Sequence, residues 1–104
     1  MMTREIPIAC ALTDTELQQR RRDYLNKAAA LLVDFKELEN GFSYRFLSEK
    51  SILLDLVNII DLERKCCPFL SFKLVLEAGS DFVFLELTGA KGTKEMIKSL
   101  FEWS

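Results

Sequence analysis

LVDFKELENGFSYRFL, residues 32–47, consists of two runs in which apolar and polar residues alternate, joined through Asn40-Gly41. Alternation suits a strand with one buried face, because successive side chains point to opposite sides of a sheet. Asn-Gly between two such runs is a strong signal for a tight turn. The stretch therefore predicts a β-hairpin with Val33, Phe35, Phe42, Tyr44 and Phe46 on one side.

Working outward, the period changes from two to about 3.6. On the N-terminal side Thr13 and Glu16 form a capping-box pattern, and Leu17, Tyr24, Leu25, Ala28, Leu31 and Leu32 recur at helical spacing. Before them, IPIACAL (residues 6–12) is a short apolar run whose Pro7 has no N–H to give to a ladder, so it reads as a strand at or near a sheet edge. On the C-terminal side Ser48 is the expected N-cap of a helix with stripe Ile52, Leu53, Leu56, Ile59 and Ile60, which Pro68 stops. SFKLVLEA and FVFLELTG then read as a second hairpin across GSD, residues 79–81. Phe82 and Phe84 lie on the parity opposite to Val83 and are candidates for an exposed patch or a dimer contact. A last helix, TKEMIKSLFEW, presents Met96, Ile97, Leu100 and Trp103 to the core, with Gly92 or Thr93 as its cap. The order is β-α-β-β-α-β-β-α. Such an order predicts an α+β domain with an antiparallel or mixed sheet and helices mainly on one face.

Composition bounds the setting. A chain of 104 residues with 49% hydrophobic content is expected to be one domain over residues 1–104, able to bury a core without disulfides or a structural metal. A net charge of -2 and a pI near 5.2 give no basic footprint, so direct nucleic-acid binding is not expected. No apolar run reaches membrane-spanning length, and the N-terminus does not read as a signal peptide; a cytoplasmic protein with no membrane partner is expected. The arginines 20–22 share their helix with Glu16, Asp23 and Lys27 and read as a solvated face. TGAKGTKE lacks phosphate-loop spacing.

Chemistry concentrates in ERKCCPFLSF, residues 63–72, where Cys66 and Cys67 meet at the seam between helix and strand. Histidine is absent, which removes the usual general base and the commonest zinc nitrogen ligand. A Cys66-Cys67 disulfide would be strained, because adjacent Cα atoms are closer than a relaxed bridge requires. The residue before a proline disfavours helical angles, so Cys66 is expected in the last helical turn and Cys67 just beyond it. Catalytic thiols favour helix N-termini, where the dipole stabilises thiolate; a helix C-terminus instead favours bound positive charge. Three readings follow. The cysteines are core atoms, or a thiol redox site, or soft-metal ligands with Cys10 as third sulfur and Glu63 as an additional oxygen ligand. Zinc, monovalent copper or a heavier thiophilic ion is the expected guest of the third. For the first, the domain would be a non-catalytic interaction module; only the second makes it an enzyme.

The opening IACAL, the block ERKCCPFLSF and the ending LELTGAKGTKEMIKSLF resemble a little-characterised family of short bacterial domains. That family shows an Ile-Ala-Cys-x-Leu opening and a Cys-Cys-Pro-Phe-x-x-Phe block, and the likeness covers nearly the whole chain. Some members look like the C-terminal part of mercury-resistance-type (MerR-like) regulators. The resemblance implies sensing or resistance through thiophile binding at Cys10, Cys66 and Cys67, with Pro68, Phe69 and Phe72 completing the block and Glu63 matching an acid one turn earlier. It also implies a regulatory protein as partner, since no DNA-binding head is among the matched residues; a homodimer is the alternative that the Phe82 and Phe84 patch raises.

Overall fold

Four strands make one antiparallel sheet in the computed structural model, which describes residues 15–49 and 51–101. The elements are α1 (Thr15–Ala29), β1 (Leu32–Leu38), β2 (Gly41–Leu47), α2 (Ile52–Cys66), β3 (Ser71–Leu76), β4 (Phe82–Thr88) and α3 (Thr93–Phe101). Across the sheet the order is β1-β2-β4-β3, so each hairpin supplies two neighbours and the hairpins join through β2 and β4. The expected α+β class, antiparallel sheet and order of elements from α1 onward are all present. The strand expected at residues 6–12 lies outside the described residues.

One side of the sheet carries the core. Phe42, Tyr44 and Phe46 of β2 alternate with Ser43 and Arg45, Val83, Leu85 and Leu87 of β4 alternate with Phe84 and Glu86, and all six are buried. They pack with Leu25 and Ala28 of α1, Ile52, Leu56 and Ile59 of α2, and Ile97 of α3. The other side displays Asp34, Lys36, Ser43, Arg45 and Phe84 around a shallow depression. Helices therefore cover one face, where the apolar parity of both central strands demanded a lid. Phe82 and Phe84 sit on the uncovered side and are half-buried there, the Arg45 guanidinium lying 4.5 Å from the centre of the Phe82 ring. Arg45 also pairs with Asp34 at 2.6 Å.

The first hairpin departs from its expected turn by one residue. Leu38 pairs with Gly41, which leaves Glu39 and Asn40 as the loop and puts Gly41 inside β2. Gly41 is not among the positive-φ glycines, Gly79 and Gly92. A side chain is excluded there because an ideal Cβ would fall on the Leu87 carbonyl of β4. Val33 also departs from the expected alternation. The register shifts between Leu32 and Asp34, and this bulge turns Val33 outward, 42% exposed. Phe35 keeps the predicted side and packs edge-on to Phe42, yet β1 is an outer strand and leaves it 43% exposed.

Helix boundaries show further differences. α1 ends at Ala29, so Leu32 belongs to β1 rather than to the helical stripe. α2 begins after Ser51, not Ser48, and Ser51 makes no side-chain cap hydrogen bond. Its stripe is also rotated from the expected one: Leu53 is exposed, while Leu62 and Glu63 are buried. Thr93 is the first residue of α3; its hydroxyl is buried and has no hydrogen-bond partner among the described residues. An isosteric apolar side chain removes that desolvation cost, so Thr93→Val is expected to raise stability by about 1 kcal/mol in chemical denaturation. A loss of stability in this variant would show that the hydroxyl finds a partner.

Candidate thiol and carboxylate site

Glu63 is the unexpected resident of the core. It occupies the α2 position that follows Ile52, Leu56 and Ile59 around the buried face, and its side chain has no solvent exposure. A carboxylate cannot be held there as an anion without a counter-charge. Arg21 of α1 supplies it, its Nε donating to Glu63 Oε2. The Arg21 side chain is itself only 17% exposed.

The second carboxylate oxygen faces Cys67. α2 ends at Cys66 and Cys67 caps it, its backbone N–H returning to the Glu63 carbonyl. This closing turn brings the Cys67 thiol over the side chain four residues earlier, and Sγ donates to Glu63 Oε1 at 3.6 Å. Cys67 is fully buried. Burial and the adjacent Glu63 carboxylate push the thiol up to about 12. The thiol is therefore held protonated at neutral pH. Glu63 is raised too, by burial, with Arg21 and the thiol pulling the other way. The arrangement is a relay of three groups, Arg21, Glu63 and Cys67, in which the guanidinium donates to one carboxylate oxygen and the thiol to the other.

Residues 67–70 then turn into β3, the Leu70 N–H reaching the Cys67 carbonyl at 3.1 Å. Phe69 is half-buried and packs against the core. Pro68 is exposed, so it shapes the turn without covering the thiol. Cys66 is the last residue of α2, as its place before Cys67-Pro68 predicted.

Set against known proteins, the chain matches no family model, no curated protein and no solved structure. Its chemistry must be read from its own residues.

Of the four residues expected to form a metal site, Glu63 and Cys67 meet directly. Cys66 adjoins them in the chain, and Cys10 lies outside the described residues. Among the described residues no three Cys, Asp or Glu side chains gather as a metal cluster. None of the described helices is long and apolar enough to cross a membrane. Arg21 was missed as a site residue because it stands inside RRR, which reads as a charged face. Its register held the signal: it lies four residues from Leu17 and from Leu25, on the apolar stripe, whereas Arg20 and Arg22 are exposed.

Proposed function

We propose that this domain binds a soft metal ion or another thiophile at the C-terminal end of α2, through Cys67, Cys66 and Cys10 with Glu63 as the oxygen ligand. The observation that carries the reading is the convergence of the Cys67 thiol and the Glu63 carboxylate, 3.6 Å apart and fully buried. A soft cation entering there takes the place of the thiol proton and lies against the negative end of the α2 dipole. Zinc, monovalent copper or a heavier thiophilic ion fits a donor set of sulfur and carboxylate with no imidazole. The likeness to short bacterial domains associated with MerR-like regulators supports a sensing or resistance role in the cytoplasm. A thiol enzyme has less support, since a thiol held protonated at neutral pH is a poor nucleophile.

Titration with zinc, under reductant and with the metal content measured, tests the proposal. One ion per chain is expected, and none in Cys67→Ala. Failure of the unaltered chain to hold zinc, monovalent copper or mercuric ion would remove the site. Binding must also release the thiol proton, so the apparent affinity rises with pH by about tenfold per unit for each thiol displaced, between pH 6 and 8. An affinity flat across that range would show that Cys67 is not a ligand.

A second reading is favoured by the outer side of α2, where Leu53, Leu54 and Val57 are 37%, 66% and 51% exposed. Here the domain is an interaction module, and this strip meets a second copy or a regulatory protein. Leu54→Glu separates the readings: it abolishes association, seen by sedimentation, and leaves metal uptake intact.

A further inference from the structure

One turn of chain holds Cys67 and Glu63 together. Glu63 lies in the last turn of α2, and the Cys67 N–H closes back on its carbonyl at 2.5 Å, which fixes the two backbones relative to each other. That turn does not settle where the carboxylate points. A glutamate carries its acid group on three torsions, and the last of them is broad and nearly two-fold. From α2 alone, Glu63 can present either oxygen, or neither, to Sγ.

The neighbouring helix removes this freedom. Arg21 of α1 donates through Nε to Glu63 Oε2, and the other oxygen, Oε1, is the one that faces Sγ at 3.6 Å. Glu63 has no solvent exposure and Arg21 is 17% exposed, so packing restrains both stems while the ion pair restrains their ends. A guanidinium is planar and its Nε–H has a fixed direction once the stem is packed, so it sets an angle as well as a charge. Arg21 reaches this place because it stands four residues before Leu25, which is buried in the core. Arg20 and Arg22, on either side of it, are exposed.

We propose that Arg21 is a positioning residue for the ligand site: from α1 it aims Oε1 of Glu63 at the ion that takes the place of the Cys67 proton. The proposal rests on the reading of Cys67 and Glu63 as ligands. A carboxylate aimed before the ion arrives has already given up its side-chain freedom, so little is lost on binding. Outer hydrogen bonds of this kind are worth about 10- to 100-fold in metal affinity. The strength of the site therefore depends on α1 being docked against α2, although Arg21 itself touches no ion.

A double-mutant cycle tests it, with the zinc affinity of the full chain measured at pH 7 under reductant by competition with a chelator. Monovalent copper replaces zinc if the chain holds copper alone. Arg21→Gln is expected to weaken binding about 10- to 100-fold. In a Glu63→Gln background the same change is expected to matter less than about threefold, because no carboxylate remains to be aimed. A merely structural Arg21 would cause equal losses in both backgrounds, and equal losses overturn the proposal. Arg21→Lys keeps the charge and covers the case in which Arg21→Gln fails to fold. It is expected to lose at least about threefold, since an ammonium lacks the fixed direction of Nε–H. Parental affinity in Arg21→Lys would show that charge alone suffices and would overturn the assigned aim. Arg20→Gln and Arg22→Gln are controls expected to stay within about twofold of the parent. An unaltered chain that holds neither ion removes the ligand site and this role together; binding with additive losses removes the positioning role alone.

Discussion

Replacing Arg21 by alanine is expected to lower stability at pH 7 by about 3–5 kcal/mol, because it leaves the Glu63 carboxylate buried and unpaired. The loss should depend on pH in a definite direction. Burial already raises Glu63 above its ordinary value of 4.5, and Arg21 is the chief influence holding it down. Without the guanidinium the folded state binds this proton at still higher pH. An acid whose folded value lies above its unfolded value favours the folded state below 4.5 and loses that advantage as pH rises through the raised value. The deficit of Arg21→Ala is therefore largest at neutral pH and shrinks on acidification toward pH 5. Urea denaturation of both chains at pH 7 and 5 measures it. A deficit under 1 kcal/mol, or one unchanged with pH, would mean that Glu63 finds another counter-charge. Arg20→Ala and Arg22→Ala, both at exposed positions, are controls expected to cost less than about 0.5 kcal/mol.

The buried charge also explains why part of this protein could be read from its residues and part could not. Hairpins and helix stripes are written in local period, and β2, β4 and the end of α2 fell where alternation and Pro68 placed them. Burial across elements is not written locally. Glu63 reads from sequence as an oxygen ligand one turn before two cysteines, and only the packing of α1 on α2 makes it a core residue. Arg21 was hidden for the same reason: composition marks RRR as solvated, while helical register singles out its middle member. The edge effects at Val33, Phe35 and Leu76 have a related cause, since alternation gives the side a residue faces but not whether a neighbouring strand exists to cover it. Cys67 was placed correctly at the helix end, yet its bond to Glu63 required the capping turn to be seen. The resemblance to short bacterial domains pointed to the same block and remains a proposal about its use.

Gly41→Ala is expected to cost about 3 kcal/mol, at the upper end of what overpacking does. The reason differs from the one its Asn-Gly context suggests. A glycine kept for a left-handed turn is replaced by asparagine at modest cost, because asparagine tolerates positive φ. Gly79 is such a case: its φ is 74°, and a Cβ built there meets nothing within 4 Å. Gly41 instead lies in regular strand pairing between Leu38 and Thr88, with the Leu87 carbonyl where its Cβ would be. A backbone oxygen cannot swing aside as a side chain can, so β2 and β4 must separate, and among the described strands it is this pairing that joins the two hairpins into one sheet. The bond from Gly89 N–H to the Asn40 carbonyl at 3.0 Å lies at the same end and is strained by the same separation. Gly41→Asn should therefore be as damaging as Gly41→Ala, while Gly79→Asn stays within about 1 kcal/mol of the parent. Equal tolerance of asparagine at both positions in thermal and urea denaturation would show that Gly41 serves the turn after all, and that the approach of β4 yields more readily than close-packed backbone allows.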